Sequence, residues 1–149
     1  MTALGDFSSG DVLTAADMNA IGTWTAFTPV WDNLTVGNGT QAFYYCQIND
    51  VLHIQGILTW GSTTAITGSF IRFASPVSSI NTQWVGIAQL REDGVATRTG
   101  MTAASGDKVL IQYVNVSGAL VNVANVSASN PFTWGTNDYI RISLTARLA

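Results

Sequence analysis

Three short turn signals punctuate this chain, and between them apolar and polar residues alternate. Asn49-Asp50, Asp93-Gly94 and Ser117-Gly118 each separate two such runs. "AFYYCQI" and "VLHIQGILTW" flank the first, "QWVGIAQLRE" and "VATRTGMTA" the second, "KVLIQYVNV" and "ALVNVANVS" the third. Asn, Asp and Gly tolerate the positive φ of a tight hairpin, and alternation with period two puts one face of each strand in a core. The last run, "YIRISLTARL", places Ile140, Ile142, Leu144 and Ala146 on one face. A count of eight or nine strands predicts an all-β fold, an antiparallel β-sandwich of jelly-roll type. Pro29 marks an edge or bend in "TWTAFTPVW", and Pro76 ends the strand "SFIRF".

The one helix signal lies ahead of the strands, in "LTAADMNAIG", residues 13–22. Thr14 and Asp17 make a capping box, Leu13 and Met18 a hydrophobic staple, and Gly22 a left-handed stop. About two turns fit between cap and stop, and a helix so short is marginal in water. Its apolar residues Leu13, Met18 and Ile21 form one stripe that needs a partner surface, either the chain's own β domain or another chain. The domain reading is therefore 1–23 as lead-in and anchoring helix and 24–149 as the β-sandwich domain.

The surface is unusual. Only 10% of the 149 residues are charged, while 47% are hydrophobic. A typical soluble domain carries roughly 25% charged residues. Thr, Ser, Asn, Gln and Gly must cover the outside, and such a surface lacks the charge that keeps monomers apart. The net charge of −3, without a basic cluster, argues against a nucleic-acid partner. No apolar run approaches the ~20 residues of a membrane span, so no membrane insertion is expected. The first ten residues lack the basic and apolar regions of a secretory signal. The Asn-x-Ser/Thr triplets at Asn33, Asn38, Asn115 and Asn125 are accordingly read as chance.

Catalytic chemistry finds little support. His53 is the only histidine, and its strand neighbours offer no metal-ligating company. Cys46 is the only cysteine, set in an apolar-aromatic run as a buried, inert thiol. The carboxylates are scattered singly, mostly beside turn residues. Glu92 and Asp93 are adjacent, but they precede Gly94 and read as a hairpin. No nucleophile elbow or phosphate loop occurs. The reading is a non-enzyme with no catalytic residues, no metal and no cofactor. The five tryptophans (Trp24, Trp31, Trp60, Trp84, Trp134) stand at strand ends or beside turns. Packing in the core or between subunits explains them. A second reading makes Trp60 and Trp134, which adjoin polar loops, stacking platforms for sugar rings.

The opening "F-x-x-G-x-V-L-T-A-A-D-M-N" (residues 7–19), followed by "W-T-x-[FY]-T-P-x-W…L-T-V-G-N-G-T…Y-x-Q-I", resembles a family of short tail-associated proteins of bacteriophages and prophages. "GSTTAITGS" and "NPFTWGTND" fit the family style. The likeness runs over nearly the whole chain and is most specific in the first half. Family members typically carry Gly where this chain has Asn49-Asp50, which keeps a turn but alters its type. The resemblance implies a structural virion component, made in the host cytoplasm: a homotrimeric tail fibre or receptor-binding protein attached to other virion proteins through its N-terminus. Capsid decoration, as a head fibre, and a stand-alone carbohydrate-binding module are the alternatives. A host surface glycan is the further partner implied. On this reading Leu13, Met18 and Ile21 anchor the subunit, each contributing about 1.5–3 kcal/mol when buried.

Overall fold

The computed structural model describes residues 12, 14, 15, 21–77, 80 and 85–148. The expected N-terminal helix falls almost wholly outside them, with Leu13 and Met18 among the residues not described. The described residues form an all-β, antiparallel structure of twelve strands. In chain order these are β1 (Thr25–Phe27), β2 (Trp31–Asp32), β3 (Leu34–Thr35), β4 (Thr40–Ile48), β5 (Val51–Thr59) and β6 (Ala65–Ile66). They continue with β7 (Ile71–Ala74), β8 (Val85–Glu92), β9 (Ala96–Ser105), β10 (Lys108–Ser117), β11 (Leu120–Asn125) and β12 (Tyr139–Arg147).

The turn signals mark their hairpins. Asn49, at a positive φ of 52°, joins β4 to β5 with Asp50 in a two-residue turn, and Ile48 pairs with Val51. Gly94 (φ 71) lies between β8 and β9, and Gly118 (φ 62) between β10 and β11. β12 alternates as expected, with Ile140, Ile142, Leu144 and Ala146 all buried.

The expected jelly-roll sandwich has two separate sheets, whereas ten strands here share one hydrogen-bonded sheet. Its order is β1-β4-β5-β12-β8-β9-β10-β7-β2, with β11 paired to β10. This sheet curls into a half-barrel. β4 and β7 stand near its opposite ends, yet the rings of Phe43 and Phe73 lie 5.5 Å apart. Phe27 reaches Phe73 at 6.4 Å and Trp31 reaches Phe43 at 5.8 Å. The chain itself spans this seam, because residues 28–30 link β1 on one edge to β2 on the other. The Trp31 indole donates to the Gln41 side chain (2.9 Å), and the Ala74 amide donates to the Val30 carbonyl (2.9 Å). The right-handed twist of a wide sheet favours such curling, and a curled sheet can bury its inner face against itself. The result is sandwich-like packing without a second large sheet.

Glycine permits the tightest contact at the seam. Gly56 of β5 pairs with Phe43 of β4, and a Cβ there would fall 2.1 Å from the Phe43 ring. The ring lies across the bare backbone. The inner face is completed by Leu52, Ile54, Leu58, Leu90, Val109, Ile111, Ile71 and Phe73, all fully buried. β3 and β6 form a separate two-stranded sheet that contributes Leu34 to this core.

Candidate functional site

Trp60 follows directly on β5, and the backbone turns it inward. Its amide donates to the Asp138 carbonyl (2.8 Å), and its carbonyl accepts from the Asn137 amide (2.9 Å). Its indole is 2% exposed and stacks on Trp134, with centroids 4.2 Å apart and planes 18° apart. Phe132 approaches Trp134 at 4.5 Å, and the Trp134 Nε1 donates to the Ser127 carbonyl (3.0 Å). Asp138, itself buried, organises the loop: its carboxylate accepts from the amides of Gly135 (2.6 Å) and Asp93 (2.7 Å). The two candidate tryptophans are thus brought together, but against each other. Trp60 presents no open face to a sugar ring in this arrangement, and Trp134 is partly buried.

The polar loops beside them are also occupied with one another. The Asn38 carboxamide donates to Ser62 Oγ (3.0 Å) and accepts from the Thr63 amide (2.9 Å). Thr63 Oγ1 accepts from the Asn38 amide (2.9 Å). Thr64 bonds both the Gly61 amide and the Val36 carbonyl. These hydroxyls and amides tie the "VGNGT" and "GSTT" turns together.

Of the anchoring stripe, Ile21 alone is described, and it is 44% exposed. The backbone from residue 21 leads into β1 along the outer face of β4. A Cβ on Gly22 would lie 3.6 Å from Ile48 and 3.9 Å from the Cys46 sulfur. Cys46 shares the outward side of the sheet with its pair partner His53. It is nevertheless buried beside this incoming segment. The His53 Nδ1 shares a hydrogen bond with Thr145 Oγ1 (2.9 Å). Trp24, Tyr44 and Ile48 are each partly open to solvent around the same place, and Trp84 lies outside the described residues.

The charged side chains serve the sheet. Asp32 on β2 accepts from Arg72 on β7 (2.7 Å) and Lys108 on β10 (3.2 Å), lacing three neighbouring strands. The Arg72 hydrogen bond, aided by Lys108, holds the Asp32 carboxyl below its ordinary 3.8 against the opposing effect of desolvation. Asp50 pairs with Arg147 (2.9 Å). Among the described residues no group of three or more His, Cys, Asp or Glu is placed to hold a metal ion. No helix among them is long and apolar enough to cross a membrane. A shallow cleft of about 260 Å³ lies along β1 and β4, lined by Phe27, Gln41, Phe43 and Tyr44 among others.

Among the described residues a further exposed apolar surface lies on the hairpin of β10 and β11. β10 and β11 pair Val114 with Val123 and Val116 with Val121, so four valines share one face of a two-stranded ribbon. Val116 and Val121 are about two-thirds exposed and Val123 nearly half. Asn115 and Asn122 pair on the opposite face. β9 accompanies β10 only as far as Tyr113, so the end of the ribbon extends past its neighbour. Its signal was available: valines at alternate positions on both sides of Ser117-Gly118, in a run from Val109 to Asn137 that has no charged residue. Comparison with models of protein families, with characterised proteins and with solved structures gave no match.

Proposed function

We propose that this protein is a non-enzymatic structural subunit that works as part of a symmetrical assembly. In the specific form suggested by the leader "GDVLTAADMN", it is a homotrimeric phage tail fibre or receptor-binding component held to the particle through its N-terminus. The observation that carries this reading is the placement of large apolar side chains on the outside. Val116, Leu120, Val121 and Val123 cluster on one ribbon, and Ile21 and Trp24 flank the segment leading from the N-terminus. Scattered apolar residues are ordinary on a surface, but clusters mark contact sites. With only 10% charged residues, little repulsion opposes association.

In this reading the N-terminal helix is the attachment element, and Leu13, Met18 and Ile21 meet a neighbouring subunit or another virion protein. The β domain is the rigid body it carries. Solution mass, measured on the full chain by sedimentation, tests the self-association: three chains are expected, and a monomer persisting at micromolar concentration overturns it. Deletion of residues 1–22 tests the attachment. The truncated protein is expected to be absent from purified particles, and its normal incorporation would refute N-terminal anchoring.

A further inference from the structure

We propose that the outward face of β8 and β12 carries a binding site for an acidic glycan, with Arg91 and Arg141 taking the carboxylate of a uronic or sialic acid unit. The inference rests on the receptor-binding part of the reading above, and not on the number of copies that assemble. The chain has six lysines and arginines in all, and three of them, Arg72, Lys108 and Arg147, hold ion pairs with Asp32 and Asp50. Of the other three, two converge on one side chain. Arg141 Cζ lies 4.6 Å and Arg91 Cζ 6.0 Å from the centre of the Tyr139 ring. The ion pairs among the described residues leave both guanidiniums without a carboxylate.

Strand register explains the convergence. Tyr139 faces Arg91 across the β12–β8 ladder, and Arg141 faces Gln89. All four stand on the outer side, opposite buried Ile140 and Leu90. Two like charges at such diagonal positions repel one another. The Tyr139 ring offsets part of that repulsion by attracting both cations. An anion set between them offsets the rest, and it meets two planar forks of donors, the geometry that matches a carboxylate. The surroundings suit the remainder of a sugar. Gln89, which accepts from the Tyr139 hydroxyl (3.5 Å), is exposed, as are Thr97, Thr99 and Ser143 on the same face. Such neutral amides and hydroxyls bond ring hydroxyls without adding charge. The open strand surface fits one unit of a long polymer better than a small molecule, which is usually enclosed. Two arginines without a wider basic patch are too few to hold a nucleic acid.

Calorimetric titration of the full chain with oligogalacturonate and with a sialylated oligosaccharide tests the site. At least one should bind wild type, and the same oligosaccharide with its carboxyls reduced to alcohols should not. Arg91→Gln and Arg141→Gln should each weaken binding by about tenfold or more. Arg98→Gln removes the same charge from the opposite side of β9, where Arg98 pairs with Leu90, and should leave affinity unchanged. Circular dichroism of each variant separates loss of binding from loss of fold. The site is overturned by equal binding of the reduced oligosaccharide, by full affinity in both Arg91→Gln and Arg141→Gln, by an equal loss in Arg98→Gln, or by no binding of either acidic oligosaccharide. A trimer that binds neither overturns the site and leaves the assembly reading standing. A monomer that binds through Arg91 and Arg141 supports the site and overturns the assembly.

Discussion

The sheet has two kinds of exposed border, and the chain treats them in opposite ways. At the seam, β1 and β2 are brought together by the short link of residues 28–30, and Phe27, Trp31, Phe43 and Phe73 pack across the junction. Asp32, Arg72 and Lys108 lace the strands beside it. At the ribbon, β11 has β10 as its strand partner, and its valines face outward. Edge strands invite pairing with other chains, and proteins commonly blunt them with charge, proline or a covering element. Here the first border is closed by aromatic packing within the chain. The second carries neither charge nor proline from Val114 to Asn125. The contrast separates a border closed by packing within the molecule from one that leaves apolar side chains exposed.

Breaking the seam should have the largest effect. Phe73→Ala removes a fully buried ring that touches Phe27, Trp31 and Phe43, and should cost about 3–5 kcal/mol in urea unfolding. A loss under ~1 kcal/mol would mean that the seam does not hold the curl. Gly56→Ala acts on the same junction from the opposite direction. Its methyl would meet the Phe43 ring, and displacing that ring should cost about 1–3 kcal/mol, measured as a lowered thermal midpoint. The same change at Gly94, where a Cβ meets nothing within 4 Å, tests backbone strain alone.

The polar side of the seam should contribute least. Asp32→Asn should lower stability by about 0.2–1 kcal/mol at neutral pH, since its ion pairs are partly exposed and screened. The carboxyl of the folded protein titrates below its ordinary 3.8. Its contribution is therefore fully present above that value and is lost as pH falls through the lower, folded one. The gap between wild type and Asp32→Asn should accordingly begin to narrow as pH falls below 3.8 and close once pH lies below the folded value, and a gap that does not narrow on acidification would exclude this origin.

Local pairing was legible in the sequence; closure was not. The β4–β5 hairpin could be read because Asn49-Asp50 sits between two alternating runs, and β12 because four apolar residues recur at every second position. Each signal lies within about twenty residues. The curl depends on Phe27 and Phe43 meeting Phe73, contacts whose partners lie far apart in the chain and leave no local periodicity. The surroundings of Trp60 were hidden for a related reason. Its neighbours "GSTT" look like an open recognition loop, but Asp138 folds a distant segment back so that Trp134 covers the indole. The valine ribbon was read as a hairpin from Ser117-Gly118, while its exposure depends on where β9 stops accompanying β10.

The central place of β12 has a consequence for how the protein is made. β5 and β8 have no ladder with each other; β12 lies between them and pairs with both, although it is the last of the twelve strands along the chain. During translation the facing edges of β5 and β8 stay unpaired until residues 139–147 have cleared the ribosome. A message cut short before that point yields fragments with two raw strand borders in the middle of the fold, the kind of species that aggregation and proteolysis remove.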